Sequence, residues 1–141
     1  MIADLLERLA AGLREELSSM PRIRVVVEEK ANWLAQVQQT LGTVGEVLVL
    51  VSFGGYQRRA GSCPVLTGAL TVDVSAHETV ATNRELPDFV TAEAVVERVA
   101  TALHGSKIDG FDNVFLLQSI TPNNETEISV VSARFTVEQH L

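Results

Sequence analysis

Val47-Leu48-Val49-Leu50-Val51-Ser52-Phe53, followed by Gly54-Gly55-Tyr56-Gln57-Arg58-Arg59-Ala60-Gly61-Ser62-Cys63-Pro64, followed by a run from Leu66 to Ser75: this stretch decides the fold. Its first third is almost continuously apolar, the pattern of a central strand covered on both faces or packed in an oligomer. In its last third, Leu66, Gly68, Leu70, Val72 and Val74 alternate with Thr67, Ala69, Thr71, Asp73 and Ser75. Period-two alternation places one apolar and one polar face on a strand. The two strands and the segment between them predict a long antiparallel hairpin. Its connection, residues 54 to 64, is about twice the usual hairpin length, and loops that long in compact domains tend to carry function.

Upstream, Ile2, Leu5, Leu6, Leu9, Leu13 and Leu17 recur every three or four residues, with Asp4, Glu7, Arg8, Arg14 and Glu15 on the other side. That stripe predicts an amphipathic helix packed on a sheet of its own domain. Pro21 ends it, because the residue before a proline is pushed out of helical geometry. The β-branched run Ile23–Val27 predicts a short strand. Trp33, Leu34, Val37 and Leu41 share one face of a weakly helical segment over residues 31 to 41.

Downstream, residues 77 to 90 are polar and irregular. Thr91 then reads as an N-cap, Val90 and Val95 as a hydrophobic staple, and Glu93 as a favourable acid in the first turn. Ala92, Val95, Val96, Val99, Ala102 and Leu103 form the stripe of this second helix, and Gly105 its stop. Val114–Ile120 predicts a strand, Thr121-Pro122-Asn123-Asn124 a turn, and Ile128–Gln139 a last strand with Val131, Ala133, Phe135 and Val137 on one face. The expected architecture is α+β: a single domain over residues 1–141. It has a mixed or antiparallel sheet of about four or five strands, two main helices packed on it and a long β-hairpin.

Composition removes several classes of function. Eleven Lys plus Arg against eighteen Asp plus Glu leave a net charge of −7, the wrong sign for general nucleic-acid binding through phosphates. The cationic doublets Arg22/Arg24 and Arg58/Arg59 are too few to reverse that balance. Cys63 is the single cysteine, so no disulfide can form within the chain and no cysteine-only metal cluster can be built. The N-terminus lacks the basic and apolar regions of a secretory signal, and the longest apolar run is far short of the ~20 residues of a membrane-spanning helix. A protein made and folded in a reducing cytoplasm is expected.

No catalytic, metal-binding or cofactor-binding residue is expected. His77, His104 and His140 show no ligand spacing. His104, at the end of the second helix, complements the helix dipole as a cation. Ser62-Cys63-Pro64 lacks the Gly-x-Ser-x-Gly frame of a nucleophile elbow. Gly54-Gly55 lacks the Gly-Lys-Ser/Thr ending of a phosphate loop, and a strand rather than a helix follows. Glu15-Glu16, Glu28-Glu29 and Glu125/Glu127 read as solvated faces. Arg58 and Arg59 are either solvated arginines at a loop tip or a site for a partner's carboxylate.

In its order of elements the chain resembles the tail terminator (tail completion) proteins of long-tailed bacteriophages and phage-tail-like particles, including small proteins encoded among prophage tail genes. The features that carry the resemblance begin with the opening Met1–Leu9 and the hairpin around Leu48–Ser75. They continue with the helix Thr91–Leu103 and the finish Phe115-Leu116-Leu117-Gln118-Ser119-Ile120-Thr121-Pro122 followed by Val130–Val137. Residues 31 to 45 depart from that layout. The resemblance implies a ring, usually of six subunits, that caps the tail tube, stops its growth and joins the head-side connector without a chemical step. It implies as partners further copies of the chain, the tail tube protein and the connector, with no membrane and no specific nucleic acid. The location it implies is the virion tail, reached from the host cytoplasm. Within that reading the hairpin residues Tyr56, Gln57, Arg58 and Arg59 are the expected interaction site, tyrosine and arginine being enriched at interface hot spots. Two other readings remain open on the residues alone: a cytoplasmic adaptor, and an α+β domain that binds a small ligand.

Overall fold

A computed structural model describes residues 2–20, 22–28, 46–58, 65–77, 90–107, 114–125 and 128–140. In chain order they form α1 (Ile2–Glu16), β1 (Ile23–Val27), β2 (Val47–Arg58), β3 (Val65–His77), α2 (Ala92–Leu103), β4 (Leu116–Glu125) and β5 (Ile128–His140). The strands make one sheet in the order β1-β2-β3-β5-β4. β1 runs parallel to β2, and every other pairing is antiparallel. The expected α+β domain, with a five-stranded mixed sheet and two helices, is what the chain forms.

Both helices pack on the same face of that sheet. From α1, Leu6, Leu9 and Leu13 are buried, as is Leu17 just beyond it; the side chains of Ile2 and Leu5 lie outside the described residues. From α2, Ala92, Val95, Val96, Val99 and Leu103 are buried. They meet the alternate residues Val25 and Val27, then Val47, Val49 and Val51, then Leu70, Val72, Val74 and Ala76, then Val131, Ala133, Phe135 and Val137. Each fully buried Val, Leu or Phe contributes on the order of 1.5–3 kcal/mol of transfer free energy. The alternation therefore sets which face of each strand looks inward. On the opposite face Val26 and Leu48 are also buried, so β2 is covered on both sides along part of its length, as its unbroken apolar run predicts.

α2 begins as expected: the Thr91 hydroxyl accepts from the Ala94 amide at 3.2 Å, and Val90 packs against the core. It ends with Gly105 at φ 78, a left-handed conformation that costs a residue with a Cβ. The Gly105 amide then donates to the Phe115 carbonyl at 2.8 Å, and the Phe115 amide to the Ser106 carbonyl at 2.9 Å. These two bonds tie the end of α2 to the start of β4 and seat Phe115 in the core.

Three expectations change. Gly54 and Gly55 do not open a loop but lie within β2, as a bulge between Phe53 and Tyr56 at which two residues oppose Ala69. Gly55 takes φ 84 there, and pairing resumes with Tyr56 opposite Gly68 and Arg58 opposite Leu66. Pairing thus runs to Arg58 on β2, and residues 59–64 of the expected connection lie outside the described residues. The second change concerns Thr121-Pro122-Asn123-Asn124, which continues β4 to Glu125, with Pro122 opposite Val131. β4 is an edge strand, where a missing N–H leaves no ladder bond unmade. Third, His104 acts as an acceptor: its Nδ1 takes the Leu117 amide proton at 3.0 Å, which places the ring's own proton on Nε2. It is a strut between α2 and β4. The weak helix over 31–41 lies outside the described residues, as do most of the irregular segment before Thr91 and the loop before Val114.

Two substitutions test this account of the helices. Gly12 sits exposed inside α1, and a Cβ there would meet nothing within 4 Å. Gly12→Ala should raise the unfolding free energy by roughly 0.5–1 kcal/mol. Thr91→Ala removes the cap of α2 and should lower it by about 1 kcal/mol. Urea denaturation of both variants reads the two signs.

Candidate functional site

The residues singled out in the sequence are distributed as follows. Tyr56, Gln57 and Arg58 belong to β2, in register with Gly68, Thr67 and Leu66 of β3; Arg59 lies outside the described residues. The pairing therefore moves three of the four expected contacts from a loop into the end of the β2–β3 ribbon. Cys63 lies outside the described residues. His77 and His140 fall at opposite ends of the β3–β5 pairing, opposite Ile128 and Val65 respectively, and His104 is at the end of α2. The sheet keeps the three histidines apart. Among the described residues no group of three or more His, Cys, Asp or Glu is placed to hold a metal ion, and no helix is long and apolar enough to cross a membrane.

The sheet face away from the helices carries a different set of residues. Ser52 is in register with Thr71, Thr71 with Arg134, and Arg134 with Ser119. One cross-strand row therefore runs Ser52, Thr71, Arg134, Ser119 over four strands. Because neighbouring in-register residues point to the same face, three hydroxyls and one guanidinium share a line. In the adjacent row Ala69 is in register with Thr136, and Thr136 with Leu116. A cleft of about 310 Å³ opens here, lined by Gly54, Ala69, Thr71, Gln118, Arg134 and Thr136 among others.

Two bulges shape this cleft. The β2 bulge places Gly54 against Ala69, with their facing positions 3.7 Å apart if Gly54 carried a Cβ, so the floor is built of small residues. The β4 bulge between Leu117 and Ser119 turns Gln118 onto the same face. Its amide donates to the Thr136 hydroxyl at 2.9 Å, which leaves that hydroxyl's own proton free to donate elsewhere. Asp73, on this face, accepts a hydrogen bond from Ser132, one row from Arg134. Arg134 itself is exposed and makes no hydrogen bond or ion pair among the described residues. Chemically the cleft offers donors to an anionic oxygen group and has no carboxylate in its lining.

Sequence reading passed over Arg134 because it is a single arginine in an alternating strand, where a polar residue on the outer face is ordinary. Its setting depends on which strands become neighbours of β5. Only the row of hydroxyls beside it, assembled from three other segments, marks it.

No family model matches the chain, and no curated protein matches it either. The site is therefore judged on its own chemistry. If Arg134 serves recognition while Asp73–Ser132 serves the fold, stability separates them. Ser132→Ala should cost about 1 kcal/mol through loss of a hydrogen bond to a charged partner. Arg134→Gln should stay within about 0.5 kcal/mol of the parent, as for a surface side chain without partners. Equilibrium denaturation of both variants measures the contrast.

Proposed function

We propose that this protein is a structural subunit of a phage tail or phage-tail-like particle. In this reading it forms a ring that caps the tail tube, ends tube growth and joins the tube to the head-side connector. The observation that supports the reading is the layout: an amphipathic opening helix, a central hairpin of two long strands, a second capped helix and a two-strand finish, all in one α+β domain. Ring formation requires heterologous contacts, in which each copy presents one patch to the copy before it and a different patch to the copy after it. A domain with helices on one side of its sheet and hydroxyls and arginine on the other has two such unlike surfaces. The protein works by interface complementarity, with no bond made or broken. Its net charge of −7 suits a ring whose lumen lets DNA pass without holding it.

The test is light scattering coupled to size-exclusion chromatography across protein concentration, alone and with tail tube protein. A species of about six monomer masses, or a monomer that climbs toward it, is expected for a closed ring. A dimer that persists at every concentration overturns the reading, because a two-fold contact uses the same patch on both copies. Within the reading, Tyr56, Gln57 and Arg58 at the end of the β2–β3 ribbon, together with Arg59 next in the sequence, contact the neighbouring subunit or the tube. Arg58→Glu with Arg59→Glu should leave the denaturation midpoint unchanged and weaken assembly about tenfold or more. Assembly at the parental level removes those residues from the interface.

A further inference from the structure

Arg134 and the acidic face of α2 lie on opposite sides of the sheet, and their chemistry is complementary. α2 buries Val95, Val96, Val99 and Leu103 against the sheet, so Glu93 and Glu97 point outward, and both are exposed. They are one helical turn apart, and like charges at that spacing repel. Positions 94 and 101, which flank Glu97 on the outward side of the helix, are Ala and Thr, so α2 supplies no cation between the two acids. Arg98, the one cation of α2, turns instead to Glu16 of α1 at 2.9 Å. Neither Glu93 nor Glu97 makes an ion pair among the described residues. The helix layer thus presents two carboxylates that no cation pairs among the described residues, and the far side of the sheet presents, in Arg134, a guanidinium that no carboxylate pairs, Asp73 of that face being bonded to Ser132.

We propose that these two surfaces bind each other between copies of the chain: Arg134 in the sheet cleft of one copy takes the Glu93/Glu97 pair of the next. The two patches cannot meet within one molecule, because the sheet and its core stand between them. Each copy therefore donates one patch and receives the other, which is a head-to-tail contact. Arginine suits the position, since its planar fork can bond a carboxylate through two parallel N–H groups. Thr71, Ser119 and Thr136 add hydroxyl donors in the same and the adjacent cross-strand row. The small floor of Gly54 and Ala69 leaves room for an incoming side chain. Leu116, in register with Thr136 and 44% exposed, lies at the cleft's edge, where a docked helix would cover it and exclude water from the charged pair. The inference supplies the subunit contact that the ring reading needs, and rests on that reading for its setting.

Charge exchange tests it. Sedimentation velocity at low ionic strength compares the parent chain, Arg134→Glu, Arg134→Gln, the pair Glu93→Arg with Glu97→Arg, and the three reversals combined in one chain. All of these positions are exposed, and unchanged circular dichroism and denaturation midpoints establish that each variant folds. The single reversals should each weaken self-association by about tenfold or more, Arg134→Gln by less, and the combined chain should recover to within about threefold of the parent. Raising the salt to about 0.5 M should shrink these differences. Arg134→Glu associating as well as the parent, a combined chain as weak as the single reversals, or a parent that never associates would each overturn the contact. A parental ring indifferent to Arg134→Glu sinks this contact and leaves the ring reading standing. Charge-dependent assembly into something other than a ring does the reverse.

Discussion

The pairing of β3 with β5, from Val65 opposite His140 to His77 opposite Ile128, is the constraint on which the rest of the domain depends. It joins the middle of the chain to its last strand, so every other element is placed relative to it. β2 reaches the sheet by folding back along β3, and β4 by folding back along β5. The pairing also fixes the faces. Leu70, Val72 and Val74 meet Phe135, Ala133 and Val131 on the helix side. A slip of one residue would turn that whole set to the open side, and the loss of buried apolar surface opposes it strongly. Such long-range pairing costs loop-closure entropy before it returns any burial. The short link between β4 and β5 lowers that cost, since one hairpin brings both strands in together.

The same register builds the cleft. Arg134 acquires Thr71 as a neighbour from β3 and Ser119 from β4, and the two bulges clear the floor and add Gln118. The β4 bulge and Pro122 also manage the edge. β4 is long and ends the sheet, so its outer backbone groups could template pairing with another chain. A bulge near its start and a proline further on interrupt that template, and favour recognition by side chains over open-ended strand addition.

Much of this fold was legible because local patterns and burial agree. The α1 leucine stripe, the Thr91 cap, the alternation in β3 and the Val131–Val137 face each report a single periodicity that the core then uses. Where the reading went astray, two physical signals competed. Gly54-Gly55 is a turn signal in isolation, yet a glycine pair also serves a bulge, and strand pairing on both sides of it settles the matter. Thr121-Pro122-Asn123-Asn124 is equally turn-like, but an edge position removes the cost of proline in a strand. His104 at the helix end gave no sign in the sequence of its partner, since the Leu117 amide that bonds its Nδ1 comes from β4, thirteen residues on.

By itself the sequence determined the class of the domain, the kind of its main elements and the inward faces of α1, α2, β3 and β5, because those follow from residue spacing along one segment. It also set the acidic charge and confined cysteine chemistry to a single thiol. Only the tertiary structure decided that the last strand lies inside the sheet with β4 at its edge, and that both helices share one face. It alone put Ser52, Thr71, Arg134 and Ser119 in one row. Each of those residues is an unremarkable polar position in its own strand. What makes them a site is adjacency across hydrogen-bonded strands from distant parts of the chain, and no pattern within a single segment encodes it.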